Sequence, residues 1–225
     1  MGFLDESLER GSSLKPDVIA CDAGSTDSGP FYLGSATPKM SRSAILQDVR
    51  RLLLARDQLK IPLIIGSCGT SGVDSGVEWM REMTLEIARE ECLSFKLGRV
   101  YSEQNPKLMA EAFQSGKIEP LPEAPEIDEQ IIQNCSHIVA MMGHEPIVHL
   151  LEEKCDVILC GRASDTALFA ALPLMHGFPA GPVWHCAKTI ECGAICSTAT
   201  VADGVYAEID DKSFTVEPLA LDAAC

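Results

Sequence analysis

The chain has 225 residues, with 33 acidic against 18 basic side chains, a net charge of -15, 46% hydrophobic residues and 23% charged residues. That composition is globular rather than disordered, and the acidic excess with 5% aromatics argues against a nucleic-acid partner, which needs a concentrated Lys/Arg face. No run approaches the ~18 apolar residues of a membrane span, and the start lacks a signal-peptide pattern, so a cytoplasmic protein is expected.

In chain order, apolar runs alternate with amphipathic stretches. Residues 17–21 (DVIAC), 61–65 (IPLII), 137–141 (HIVAM) and 156–160 (DVILC) read as strands buried on both faces. Residues 41–58 read as a helix with Ile45, Val49, Leu52 and Leu53 on one side and Arg56 opposite. Further helices are expected over 75–92, 106–115, 127–134, 146–154 and 164–175, with a possible strand over 93–101. Pro120, Pro122 and Pro125 mark a loop. Strand–helix alternation with buried strands predicts an α/β fold, an open, mostly parallel sheet with helices on both faces. Residues 1–177 would form this doubly wound core. Pro179, Gly181 and Pro182 mark a break before an extension over 178–225, with a helix over 187–196 and a β-hairpin formed by 205–209 and 213–216.

Ten cysteines without a secretion signal are expected to be thiols. Cys21, Cys135, Cys155 and Cys160 lie in apolar runs and read as small core residues. His185, Cys186, Cys192 and Cys196 cluster in sequence, but Cys192-x3-Cys196 supplies only half of a zinc site.

In an open parallel sheet, ligands bind outside the carboxyl ends of the strands. Four polar, glycine-bearing loops fall there: Asp22-Ala-Gly-Ser-Thr-Asp-Ser-Gly29, Gly66-Ser-Cys-Gly-Thr-Ser-Gly72, Met142-Gly-His-Glu-Pro146 and Gly161-Arg-Ala-Ser-Asp-Thr166. In the second, Ser67, Cys68, Gly69, Thr70, Ser71 and Gly72 precede a helix, so backbone N–H groups could cradle a phosphate or carboxylate. The competing reading is a tight turn that packs helix on strand. Ser25 and Thr26 would assist in the first loop, and Arg162 would clamp a carboxylate or pair with a neighbouring aspartate.

Asp22, Asp27 and Asp165 are candidate acid/base groups or ligands of Mg2+ or another divalent cation. Helix capping is the simpler reading for Asp165, beside Ser164. His144 and Glu145 would face the rim. His149 would not, because it sits five residues from His144, about 140° around a helix, which also rules out a zinc-protease motif. Cys68 at a helix start could have a lowered thiol pKa, and Glu191 follows His185 in the altered region.

Val18-Ile-Ala-Cys-Asp-Ala-Gly-Ser-Thr26 resembles the first phosphate loop of actin-like sugar kinases, which follow it with a β-hairpin; an actin-like ATPase is therefore one alternative. Cys-Asp-Ala-Gly-Ser-Thr-Asp-Ser-Gly-Pro30, Gly66-Ser-Cys-Gly-Thr-Ser-Gly72, Cys160-Gly-Arg-Ala-Ser-Asp-Thr-Ala167 and Thr189-Ile-Glu-Cys-Gly193 together resemble the acyclic terpene utilisation (AtuA-like) family, from about residue 16 onward. That resemblance implies catabolism of branched terpenoid acids and their coenzyme A thioesters. The expected enzyme is a lyase (hydratase) or isomerase acting on a small anionic substrate, a carboxylate or CoA thioester. Family members continue beyond 225 residues, so a C-terminal half or companion subunit, and an oligomer, are expected partners. A non-catalytic anion-binding subunit that completes a partner's site is the other alternative.

Overall fold

The computed structural model describes residues 2–25, 28–199 and 202–225. Its centre is a four-stranded, wholly parallel sheet in the order β1-β2-β4-β3: β1 (Ile19–Gly24), β2 (Leu63–Thr70), β3 (Leu97–Val100) and β4 (Val157–Cys160). The registers Ile19↔Leu63, Leu63↔Val157 and Leu97↔Val157 align the strand starts.

Side chains alternate across the sheet and make two cores. Leu63, Ile65, Val157 and Leu159 face α3 (Arg42–Leu59) and α4 (Asp74–Glu90), whereas Ile64 and Ile158 face α7 (Glu145–Glu152) and α8 (Asp165–Met175). Each fully buried Leu or Ile contributes on the order of 1.5–3 kcal/mol of burial. The expected α/β architecture is therefore observed, with the sheet covered on both faces.

Four elements differ from the sequence reading. Residues 137–141 are not a sheet strand. They make an isolated antiparallel bridge, Glu103↔Val139, and the chain then pairs Met142 with Ala163. The strand expected within 93–101 is present as β3, at the edge of the sheet opposite β1. Arg56 lies on the buried face of α3, not opposite it; its guanidinium donates to the Ile61 carbonyl and pairs with Asp156, so its charge is satisfied. Helix α9 (Ala180–Ile190) starts seven residues earlier than expected, since Pro182 falls in its first turn, where no N–H is needed; a 3-10 turn (Gly193–Cys196) follows. Cys135 is exposed rather than a core residue, and all ten cysteines are free thiols.

The hairpin is present as β5 (Val205–Ile209) and β6 (Phe214–Pro218), with Val205↔Pro218 and Ile209↔Phe214 in register. Asp210 closes its turn by accepting the N–H groups of Lys212 and Ser213, both at 2.7 Å. Helix α1 (Asp5–Ser13), too polar to be read from periodicity, docks through buried Asp203, which accepts from the Leu4 N–H at 3.2 Å, the Gly204 N–H at 2.9 Å and the Ser7 hydroxyl. Arg10 on α1 pairs with Glu217 and donates to the Leu219 carbonyl. Three short helices, α2 (Phe31–Ser35), α5 (Pro106–Gln114) and α6 (Glu129–Gln133), lie in the connections. Among the described residues no helix is long and apolar enough to cross a membrane.

Candidate functional site

Adjacent strands β2 and β4 send their chains to opposite faces of the sheet. The exit of β2 leads to α4 on one side, and the exit of β4 leads to α8 on the other. A crevice outside the carboxyl ends of such a pair is the expected ligand position of a doubly wound sheet.

Asp22 enters it from β1, in register with Gly66. One carboxylate oxygen, Oδ1, is buried with no hydrogen-bond partner. Burial, then the charge of Asp165, pushes its pKa up to about 6, against the opposing pull of the Ser67 hydroxyl, Arg162 and the Gly24 backbone. Arg162, just after β4, donates from Nη1 to Ser67 Oγ at 3.2 Å and lies 3.5 Å from Asp165 Oδ1, itself a buried oxygen without a hydrogen bond. Asp165 is the first residue of α8, where the helix dipole favours its negative charge. The carboxylates of Asp22 and Asp165, the Arg162 guanidinium and the Ser67 hydroxyl therefore share one rim, reached from three strand ends.

The glycine-rich segment is placed differently from its expected role. Residues 66–70 continue β2, and 63–73 are buried throughout. Ser67 and Thr70 adopt left-handed backbone angles (φ 46° and 80°), a strain of roughly 1–2 kcal/mol each. Its glycines allow close packing: a Cβ on Gly24 would lie 2.0 Å from the Thr70 carbonyl oxygen, and one on Gly72 (φ 74°) 2.2 Å from the Arg162 nitrogen. The Ser67 N–H donates to the Gly161 carbonyl. The N-terminus of α4 already holds an anion of the protein itself, because the Asp74 N–H donates to Glu103 Oε2 at 3.0 Å. Ser71 Oγ is buried without a partner.

Cys68 is a core residue, its Sγ–H directed at the Ile65 carbonyl. Burial pushes its thiol pKa well up, which corrects the expectation of a lowered value and removes it as a nucleophile. Cys21 and Cys160 rise to about 12 for the same reason.

Glu145 opens α7 with three quarters of its side chain exposed, 3.5 Å from His144 Nδ1, and the His144 ring stacks edge-on against Trp184. These contacts do not join either residue to Asp22 or Arg162. Glu191 caps the end of α9 and pairs with Lys188, whose ammonium feels the charge of Asp165; that lysine is an addition to the sequence reading. Ser25 is exposed just after β1, and Thr26 and Asp27 lie outside the described residues. Among the described residues no group of three or more His, Cys, Asp or Glu is arranged to hold a metal, so Asp22 and Asp165 are a pair at most.

Ser102, missed from sequence, ties the rim together. Its buried Oγ donates to the Gly72 carbonyl at 2.8 Å and accepts from the Arg162 N–H at 2.7 Å.

Fold and rim define a doubly wound α/β protein whose acidic and basic side chains meet at a topological switch point. The acyclic terpene utilisation family protein AtuA matches residues 50–219, and the chain belongs to that family. No curated protein and no solved structure matches the chain. An actin-like arrangement is not supported: β1 is followed by α2 and α3, not by a hairpin.

Proposed function

We propose that the rim between β2 and β4 is a catalytic site for a carboxylate or coenzyme A thioester of the branched, terpenoid type, carrying hydration, dehydration or isomerisation. The observation that carries this reading is the pair formed by Asp22, a buried carboxylate held near pKa 6 with an unpartnered oxygen, and Arg162 beside it. A group that titrates close to neutrality can both take and return a proton. The guanidinium offers the charge an anionic ligand needs. Membership of a family described by acyclic terpene utilisation supports the terpenoid substrate class.

In this reading Arg162 exchanges its long contact with Asp165 for the ligand's carboxylate or thioester oxygen, and Asp22 moves the proton. The unpartnered oxygens of Asp22 and Asp165 are also the positions this chain offers a divalent cation such as Mg2+, which would supply electrophilic polarisation of the ligand carbonyl. The test is hydration of a branched enoyl-CoA, followed by loss of its conjugated absorbance, with and without Mg2+. Asp22→Asn and Arg162→Ala should each remove turnover, and unchanged turnover in both would refute the assignment.

A second reading follows from how fully the donors at β2 are used. With the α4 N-terminus held by Glu103 and Arg162 held by Ser67 and Asp165, the rim would serve as one half of a site completed by a companion subunit or second copy. Ligand binding by the chain alone, with turnover only after a companion is added, distinguishes this reading from the first.

A further inference from the structure

The loop leaving β3 carries a second polar cluster beside Arg162. Glu103 Oε1 is hydrogen-bonded to Nδ1 of His137, 34 residues further on, while Oε2 accepts the Asp74 N–H. Asp74 in turn accepts the N–H groups of Ser102 and Glu103 at 3.3 and 3.1 Å. The Glu103 carboxylate is thus fixed on both oxygens and through its own backbone. Ser102, the next residue, bonds both Gly72 and Arg162, so the cluster is built onto the same rim. β3 and β4 are neighbours, paired up to Val100↔Cys160, so the loops that carry Ser102 and Arg162 leave the sheet side by side.

A carboxylate on Nδ1 fixes the imidazole in the tautomer whose Nε2 carries a lone pair, and it compensates the positive charge when a proton arrives there. Both side chains are about one quarter exposed, so the pair is not sealed in the core. Helix capping accounts for Glu103 Oε2. It does not call for a histidine on the other oxygen.

We propose that Glu103 and His137 form a proton-accepting dyad that activates water toward a ligand held at Arg162. In this step a water O–H bond breaks and its proton moves to His137 Nε2. The oxygen keeps the electron pair and adds to the electrophilic carbon of a conjugated acid or thioester. Protonated Asp22 then gives its proton to the carbanion so formed, and the imidazolium proton restores Asp22 through solvent, so the sum is addition of one water. This deepens the hydration reading above and rests on it.

The test is carbethoxylation of the native protein with diethyl pyrocarbonate, resolved by peptide mass mapping, in the presence and absence of 3-methylbutanoyl-coenzyme A. His137 should react at least about threefold faster in the wild type than in Glu103→Gln, because the fixed tautomer presents Nε2, and the thioester should protect it. Equal rates overturn the dyad, as does thioester binding that leaves His137 unprotected. If the thioester does not bind, the ligand reading fails, and the dyad is judged on the rate ratio alone. Should Glu103→Gln fail to fold, nitrogen-15 NMR of the wild type decides: an Nδ1–H tautomer supports the dyad, and an Nε2–H tautomer overturns it.

Discussion

Arg162 Nη1 lies 3.2 Å from Ser67 Oγ, so the loop after β4 is fastened to the end of β2 by a side chain that also faces Asp165. Removing that guanidinium withdraws the cation that holds down the Asp22 pKa. In Arg162→Ala the carboxyl-carbon NMR titration of Asp22 should move to higher pH than the wild-type midpoint near 6, and stability should fall by about 1–3 kcal/mol as buried partners lose their donor. An unmoved midpoint would separate the two residues electrostatically.

Asp22 itself gives stability a specific pH dependence. Its pKa rises from 3.8 to about 6 on folding, so the folded state binds more protons than the unfolded chain in that window. The contribution is fully present below pH 4 and is lost as pH rises through 6, a change of about 3 kcal/mol. Asp22→Asn, which cannot ionise, should remove this slope. Urea unfolding at pH 4.5 and 7.5 checks it: the difference between variant and wild type should grow in the variant's favour at the higher pH.

The rim glycines and the α2 glycine differ sharply in what they tolerate. Gly24→Ala and Gly72→Ala each force a Cβ into backbone atoms at 2.0–2.2 Å and should cost more than about 3 kcal/mol or abolish soluble expression. Gly34→Ala, with nothing within 4 Å of the added carbon, should change stability by less than about 0.5 kcal/mol. Denaturant midpoints for the three variants test the contrast.

Thiol reactivity should follow burial. Cys92, Cys135, Cys192 and Cys225 are exposed, whereas Cys68, Cys155, Cys160 and Cys186 are buried. Under native conditions a disulfide reagent should label the first set and reach Cys68 only on unfolding, since burial disfavours its thiolate. Rapid native labelling of Cys68 would contradict its place in the core.

What could be read from sequence divides along physical lines. β2 and β4 were legible because strands buried on both faces leave continuous apolar runs, and Asp22, Arg162 and Asp165 were legible because they fall where such runs end. Residues 137–141 have the same composition, yet their partners are Glu103 and Ser102 rather than a sheet neighbour; the Ala140 N–H donates to the Ser102 carbonyl. Hydrophobicity alone does not distinguish these settings. β3 falls within the strand read over 93–101, whereas α1 was obscured by its polarity, because a peripheral helix buries little apolar surface. The pairing of Glu103 with His137 is purely tertiary. Nothing in local spacing announces it.

Asp203→Ala should release α1. It removes acceptors for Leu4, Ser7 and Gly204 at a buried position, at a cost of about 1–3 kcal/mol, and limited proteolysis should then cut within residues 4–13 well before the sheet unfolds.

The Ser7–Asp203 bond spans 196 residues of chain, and that separation orders assembly during synthesis. The α1 segment can pack early on α3, where Asp5 and Phe3 meet Arg51, but its buried bond to Asp203 forms only after the strands between them have been produced. A nascent chain stalled before residue 203 should therefore carry a formed sheet with α1 held only by its contacts to α3.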